Sequence, residues 1–150
     1  MTADVGCGLG TYAAALARRG YDVLAVDWAA SAVSAVRDRY QGLLPNLSTR
    51  RLDFTDEQAV RTLGVDVFDV VTMRLVHPFF ADKQQVAEHV RRLLRPGGAW
   101  VVTTPLVERL SSRRHIALSA VEVGELMSGW GSGAWVDLEP DGLRCIVLRR

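Results

Sequence analysis

The sequence predicts an α/β fold in which helices cover both faces of a doubly wound, mostly parallel β-sheet. Three features of the 150-residue chain predict it: short apolar runs alternate with segments of helical periodicity, a glycine-rich stretch directly follows the first apolar run, and two apolar runs near the C-terminus flank a Pro-Asp-Gly turn. The alternation is typical of strand–helix units that wind around a parallel sheet. The last pair of runs predicts a C-terminal antiparallel hairpin.

The first half of the chain predicts three strands and two helices. The strands span residues 2–5, 21–26 and 48–52, and the helices span residues 11–19 and 29–40. Gly20 follows the first helix and readily takes the left-handed conformation that ends helices. The second helix carries apolar residues at helical spacing and is closed by Gly42 and Pro45.

The second half predicts three further helices and four further strands. They are a helix from Thr55 that ends at Gly64, a strand over residues 67–73, a helix capped by Asp82 and ended by Pro96, a strand over residues 99–104, a helix over residues 119–128, and hairpin strands over residues 134–138 and 143–148. The pairs Thr55 with Gln58 and Ser119 with Glu122 have the spacing of a capping box, so each pair predicts a helix start.

Composition limits the classes of function. Eighteen basic residues face seventeen acidic ones, so the net charge is +1, and this balance gives no indication of a nucleic-acid partner. Cys7 and Cys145 show neither metal-ligand spacing nor the pattern of a secreted disulfide framework. No apolar run is long enough to span a membrane. We therefore expect one domain, located in the cytoplasm, with no metal site and no membrane contact.

The sharpest motif is Asp4-Val5-Gly6-Cys7-Gly8-Leu9-Gly10, at the junction of the first strand and the first helix. Glycines there let the backbone turn tightly and approach a ligand closely. A dinucleotide-binding loop has its third glycine one position later, where this chain has Thr11, so the spacing argues against a nicotinamide or flavin cofactor. Cys7 is interpreted as a small residue tolerated in a tight turn rather than as a nucleophile, because neither His nor Lys lies beside it.

Two acidic residues end the next two predicted strands. Asp27 follows the second strand, where its carboxylate can accept hydrogen bonds from both hydroxyls of a ribose. Asp53 follows the third strand, where a carboxylate can accept from an adenine amino group. Because open parallel sheets bind ligands at the carboxyl ends of their strands, these acids and the glycine loop predict a nucleoside-binding crevice. Each acid also has a structural alternative as a helix or turn cap.

These residues carry a resemblance to the class I S-adenosylmethionine-dependent methyltransferases. The matching stretches are, in chain order, D-V-G-C-G-L-G, V-L-A-V-D-W, L-D-F, F-D-V-V-T-M-R and R-R-L-L-R-P-G-G. The resemblance covers nearly the whole chain. It implies a Rossmann-like sheet of seven strands in the order 3-2-1-4-5-7-6, with S-adenosylmethionine in the crevice.

The resemblance also implies which residues would bind the methionine and ribose parts of the cofactor. Gly6, Gly8 and Gly10 would line the methionine part, with Cys7 between them in the same loop. Asp4 would hold the amino group of the methionine through water. Asp27 would bind the ribose.

At the adenine end, the resemblance implies that Trp28 and Phe54 flank the base while Asp53 lies at its amino group. For Trp28 a position in the core is the open alternative. Arg74, at the end of the fourth predicted strand, is a further candidate, either as an anchor for the cofactor carboxylate or an anionic substrate or as a solvated residue.

A general base is the one catalytic group for which the sequence offers a candidate. Methyl transfer from a sulfonium is an in-line displacement, so the main task is to hold the nucleophile in line with the methyl carbon. A hydroxyl or protonated amine acceptor also benefits from a base. His77, just after the fourth predicted strand, is the candidate, with a turn or packing role as its alternative. We expect a small-molecule methyl acceptor, which no motif identifies.

The chain departs from the pattern of the family at its N-terminus. Members carry a segment there that supplies a helix packed on the sheet and part of the acceptor-side lid, whereas only residues 1–3 precede Asp4. A misplaced start codon, a truncated relative, and a partner chain or second copy that covers the bare face are three explanations, and we favour the first. The alternative function is a non-catalytic or partner-dependent module. A nicotinamide-dependent oxidoreductase is disfavoured by Thr11.

Overall fold

A computed structural model describes all residues, 1–150, and contains one seven-stranded sheet in the order β3-β2-β1-β4-β5-β7-β6. The strands are β1 (Thr2–Val5), β2 (Val23–Asp27), β3 (Leu47–Arg51), β4 (Phe68–Arg74), β5 (Leu94–Pro105), β6 (Ser132–Leu138) and β7 (Leu143–Arg149). The first five strands pair in parallel, whereas β7 is antiparallel to both β5 and β6. The predicted fold class, strand order and terminal hairpin are confirmed.

Five α-helices connect these strands, close to the predicted bounds. They are α1 (Thr11–Ala17), α2 (Ala30–Tyr40), α3 (Glu57–Arg61), α4 (Lys83–Leu93) and α5 (Ala120–Met127). Asp82 caps α4 as predicted, and Ser119 with Glu122 forms the predicted capping box of α5. None of these helices has the length and hydropathy needed to cross a bilayer.

The predicted start of α3 is wrong by one residue. Asp56, not Thr55, is the N-cap, and its carboxylate accepts from the backbone N–H groups of Gln58 and Ala59. A carboxylate at this position also complements the positive end of the helix, which a hydroxyl does less well. The Thr55 hydroxyl instead donates to Asp53.

The sheet carries an apolar core on each face. Within β2, Ala25 belongs to a small cluster with α1 and α2, while the next residue, Val26, belongs to a cluster of 22 buried residues on the opposite face. Side chains of α3, α4 and α5 complete this larger cluster, and Trp100 and Leu93 are fully buried in it. Burying each such side chain contributes about 2–3 kcal/mol. The larger core therefore fixes α4 and α5 against one face of the sheet.

The face of β5 and β7 opposite the larger core is less well covered. Val101, Thr103, Cys145 and Val147 are only partly buried, although the residues that alternate with them are almost fully buried. That a partner chain or second copy covers a bare face of the sheet, one of the three explanations given above, stays a prediction.

Candidate functional site

The loop between β1 and α1 is a tight turn that requires glycine at specific positions. Gly6 and Cys7 both donate their backbone N–H to the carbonyl of Val26 in β2, at 2.8 and 3.1 Å. Gly6 has a φ of 72°, and a Cβ there would lie 2.6 Å from a methyl carbon of Val76. Gly10, with a φ of 75°, would place a Cβ 2.5 Å from Val36. These contacts explain the two outer glycines by packing as well as by backbone conformation.

Gly8 differs from its two neighbours because the space around it is open. A Cβ at Gly8 would meet no heavy atom within 4 Å, although the φ of 52° still disfavours other residues. Its backbone N–H donates to Oδ2 of Asp27 at 2.9 Å. The loop is therefore tied to the end of β2, and its middle glycine faces open space where a ligand could approach the backbone.

Asp27 lies at the centre of this arrangement and is only 8% exposed. Its second carboxylate oxygen accepts from the N–H of Ala29 at 3.0 Å, so each oxygen already has one backbone donor. An ionised carboxylate has about four acceptor positions, which leaves room for further donors. The predicted structural and functional roles are thus compatible: Asp27 caps two backbone amides and also lines a cavity.

A cavity of about 280 Å³ opens beyond the carboxyl ends of β1, β2 and β3. Its volume lies near the lower end of the usual range for ligand sites, roughly 300–1,000 Å³. The lining residues are Val5, Gly6, Val26, Asp27, Trp28, Leu52, Asp53, Phe54, Thr55, Val76, Phe79 and Phe80. The structure therefore brings together five of the predicted cofactor residues. We refer to it below as the adenosine cavity, after the ligand group that the resemblance implies for these residues.

At the outer end of this cavity, Trp28 is 72% exposed, so the alternative position in the core is wrong. Its carbonyl accepts from Nε of Arg51 at 3.1 Å. Asp53 accepts from both the N–H and the hydroxyl of Thr55, at 2.9 and 2.7 Å, and these hydrogen bonds hold the pKa of Asp53 below its usual value. Phe54 is buried and forms an inner wall, with its ring 6.3 Å from that of Phe80.

Asp4 lies outside the residues that line the cavity and is only 2% exposed. Thr72, its direct neighbour on β4, donates its hydroxyl to Asp4 at 2.7 Å. Burial raises the pKa of Asp4 to about 6, and the Thr72 hydroxyl and the charge of Arg74 partly oppose this rise. The sequence analysis missed Thr72, although a polar residue between the apolar Val71 and Met73 of β4 was an available signal.

Four other predicted residues also lie outside the lining of the cavity: Cys7, Gly8, Gly10 and Arg74. Burial, together with the charges of Asp27 and Asp4, raises the pKa of the Cys7 thiol to about 12. A protonated thiol is a poor nucleophile, which agrees with the predicted passive role of Cys7. Arg74 is exposed at the end of β4.

The segment after β4 forms one wall of the adenosine cavity. Leu75 has a φ of 59° and donates its N–H to Thr103 on β5 at 2.8 Å, and this bend is followed by Val76 against Gly6. Phe79 and Phe80 complete the wall. The sequence analysis selected this segment for a base and missed its apolar contribution, for which the aromatic pair was the signal.

His77, the candidate base, is not brought to the adenosine cavity. It is 1% exposed, and its ring lies 5.3 Å from that of Trp100 in the larger core. Burial lowers the pKa of His77 to about 4, so the imidazole is neutral near pH 7. It lines a separate hollow between α4 and residues 122–130, called the α4–α5 hollow below. The catalytic role of His77 stays a prediction.

Known proteins share both the sequence and the architecture of this chain. Residues 3–102 match the family model described as a methyltransferase domain. The ubiquinone biosynthesis O-methyltransferase of Caulobacter sp. strain K31 is 32% identical over 151 residues, which cover 96% of this chain and 56% of that protein. The protein of the same name from Acinetobacter baylyi is 31% identical over 96 residues, which cover 63% of this chain and 39% of that protein.

The chain thus spans 39% to 56% of the length of these two curated relatives. Among solved structures, an S-adenosylmethionine-dependent methyltransferase from Aquifex aeolicus superposes with a TM-score of 0.80 and 18% identity, over 99% of this chain and 79% of that one. This structural likeness establishes the fold, and the sequence matches establish the family. The chain belongs to the methyltransferase domain family, within the class I S-adenosylmethionine-dependent methyltransferases.

Proposed function

We propose that this chain binds S-adenosylmethionine in the adenosine cavity and transfers its methyl group to a small-molecule acceptor. The observation that carries the proposal is the Asp27 carboxylate, which two backbone amides hold at the edge of a cavity that Trp28 also lines. A fixed carboxylate acceptor beside an exposed indole matches a ribose diol next to an adenine ring.

The residues present fit the cofactor. Gly6 lines the cavity without a side chain, and the space beside Gly8 is open, so the backbone of the loop can approach a ligand closely. Asp27 would accept hydrogen bonds from the ribose, Trp28 would pack on one face of the adenine, and Asp53 would accept from its amino group. Asp4 would face the ammonium of the methionine part, directly or through water, and a positive group there would favour the ionised carboxylate.

When bound, S-adenosylmethionine supplies an electrophilic methyl group on a sulfonium. The task of the protein is then to align the acceptor with that methyl carbon and to exclude water. The curated relatives bear the name O-methyltransferase, and on that basis we propose a hydroxyl oxygen as the accepting atom. Loss of the hydroxyl proton needs a base, and His77 stays the predicted candidate although it lies outside the adenosine cavity.

The proposal also covers the domain organisation of the chain and its cellular location. Residues 1–150 are proposed to act as a single cofactor-binding domain, because one continuous sheet connects all seven strands. The cytoplasm is the proposed location, and the two free cysteines support it because thiols persist in a reducing compartment.

Methyl transfer is tested by incubating the chain with S-adenosylmethionine and a panel of small hydroxylated aromatic acceptors, and then measuring S-adenosylhomocysteine by chromatography. We expect acceptor-dependent formation of S-adenosylhomocysteine, and none with the Asp27→Ala variant. Cofactor binding without product for any acceptor would favour the alternative of a non-catalytic or partner-dependent module. Absence of cofactor binding would overturn the proposal itself.

A further inference from the structure

His89 is a buried polar residue that the function proposed above does not use. It lies in α4, is only 4% exposed and does not line the adenosine cavity. Its ring meets the ring of Phe54 edge-on, with the two centroids 5.8 Å apart and an angle of 74° between the planes. Phe54 forms an inner wall of the adenosine cavity, so His89 supports this wall from behind.

One hydrogen bond joins His89 to the backbone of the wall. Nδ1 of His89 lies 3.1 Å from the carbonyl oxygen of Phe54. A carbonyl can only accept, so Nδ1 carries a proton and donates it. No backbone N–H donates to this carbonyl, and His89 is its one partner in the protein. Because a buried carbonyl is unfavourable without a partner, this hydrogen bond fixes the direction of the peptide group that contains it.

The same peptide group also holds Asp53. The Phe54 carbonyl and the Thr55 N–H belong to one trans peptide, so they point in opposite directions. The Thr55 N–H donates to Oδ1 of Asp53 at 2.9 Å, and the Thr55 hydroxyl donates to the same oxygen at 2.7 Å. A chain of hydrogen bonds therefore runs from His89 through the Phe54–Thr55 peptide to the Asp53 carboxylate, and the bonds in such a chain polarise one another.

The other end of this chain is a carboxylate oxygen that a ligand can use. Oδ1 of Asp53 has two donors from Thr55, whereas Oδ2 accepts no hydrogen bond in the protein, and Asp53 lines the cavity. A carboxylate oxygen accepts from the amino group of adenine, but it repels the carbonyl oxygen that hypoxanthine carries at the same position. The orientation of Asp53 therefore decides how well the cavity distinguishes the two bases.

We propose that His89 is a positioning residue for base recognition: it holds the Phe54–Thr55 peptide and, through it, orients the Asp53 carboxylate so that the cavity prefers adenine to hypoxanthine. His89 acts from outside the cavity and touches no ligand. The inference rests on the proposed binding of S-adenosylmethionine, and it makes α4 part of the apparatus that selects the base.

Two substitutions at His89 separate the hydrogen bond from the ring. His89→Leu and His89→Asn have similar branched shapes and both lose the ring contact with Phe54, but only the asparagine amide can donate to the Phe54 carbonyl. Calorimetric titrations with S-adenosylhomocysteine and S-inosylhomocysteine give the base preference as a ratio of dissociation constants. We expect His89→Leu to reduce this preference roughly tenfold, and His89→Asn to keep it within about threefold of the unmodified chain. A loss of stability alone would weaken both ligands alike and leave the ratio unchanged.

A control variant and a second measurement complete the test. His115→Leu, at an exposed histidine outside the cavity, should change neither affinity. Should His89→Leu fail to fold, long-range proton–nitrogen spectra of the unmodified chain report the His89 ring, which its contact with Phe54 identifies. We expect a proton on Nδ1 and a saturable shift of the ring signals when S-adenosylhomocysteine binds.

The outcomes distinguish this inference from the proposed function. The inference alone is overturned if the unmodified chain binds S-adenosylhomocysteine but shows no base preference, if His89→Leu keeps that preference, or if Nδ1 of His89 carries no proton. An unmodified, folded chain that binds neither ligand would overturn the proposed function, and the inference with it.

Discussion

The adenosine cavity and the α4–α5 hollow lie on either side of the short segment 76–80. They differ in whether their polar atoms have hydrogen-bond partners in the protein. Val76, Phe79 and Phe80 face the first, whereas His77 faces the second. In the adenosine cavity, the Asp27 carboxylate is held by nearby backbone amides. Beside the α4–α5 hollow, the buried ring nitrogens of His77 have no hydrogen-bond partner in the protein.

The difference teaches that the adenosine cavity is organised before a ligand arrives. Asp27 is fixed by the turn that follows it and by the glycine loop, so a ligand meets an acceptor that is already oriented. The ring nitrogens of His77, beside the α4–α5 hollow, are instead buried without such donors or acceptors around them. The predictions below test this contrast, from the largest expected effect to the smallest.

Removal of the Asp27 carboxylate should have the largest effect on the adenosine cavity. Asp27→Ala loses two backbone hydrogen bonds in the loop and the acceptor for ribose, so affinity for S-adenosylhomocysteine should fall roughly 100-fold or more. Calorimetric titration measures this loss. His77→Phe, on the other side of the shared segment, should keep the affinity within about threefold, and an equal loss in both variants would contradict the separation of the two regions.

The glycine loop offers a matched pair of substitutions. Gly6→Ala would place a methyl group 2.6 Å from Val76 and force a strained φ, whereas Gly8→Ala has the strain but no contact within 4 Å. We expect the free energy of unfolding to fall by about 3 kcal/mol for Gly6→Ala and about 1 kcal/mol for Gly8→Ala. Urea denaturation measures both. Equal losses would show that packing against Val76 does not fix the loop.

The ionised carboxylate of Asp4 should lower the free energy of unfolding at neutral pH and should support cofactor binding. Its pKa is raised from 3.8 to about 6 in the folded protein, so the folded state binds more protons than the unfolded state between these values. Stability should therefore fall as the pH rises through this window, and the whole cost is present above about pH 6. Asp4→Asn should raise the free energy of unfolding near pH 7.5 by on the order of 2 kcal/mol.

The same Asp4→Asn variant should bind S-adenosylhomocysteine more weakly, because an amide cannot pair with the ammonium group. Thr72→Val is its control, since it removes the hydroxyl that donates to Asp4 and keeps the charge. A destabilised Asp4→Asn variant with unchanged affinity would show that Asp4 is a structural residue alone.

Trp28→Ala should have the smallest effect and should change binding without changing stability. The side chain is 72% exposed, so its loss should alter the free energy of unfolding by less than about 0.5 kcal/mol. Loss of stacking on adenine should weaken binding roughly tenfold. Fluorescence titration with adenosine measures the change, and unaltered adenosine affinity would place the base elsewhere.

The contrast between the two regions also explains how much could be predicted from the sequence. Asp27, Trp28, Asp53 and Phe54 follow the predicted strands over residues 21–26 and 48–52. Because parallel strands end at one edge of a sheet, the convergence of these residues follows from spacing alone. The α4–α5 hollow combines His77 with residues of α4 and of the distant segment 122–130. No local pattern indicates such a combination, which depends on how the helices pack on the sheet.

Side-chain direction was the other quantity that local patterns could not supply. His77 follows β4 as a base might, but its ring packs toward Trp100 in the larger core. Thr55 has the spacing of a cap, but Asp56 beside it accepts the hydrogen bonds instead. Packing in the folded core decides the first case, and competition between adjacent residues decides the second. The spacing of residues in the sequence indicates neither outcome.

The central claim is that the glycine loop and Asp27 hold an adenosyl group in the cavity beyond β1, β2 and β3. Calorimetric titration of S-adenosylhomocysteine into the folded chain tests it most directly. The account predicts saturable binding of one ligand per chain at sub-millimolar concentration, which Asp27→Ala abolishes. A chain with a folded circular dichroism spectrum that gives no binding heat in this range would contradict it.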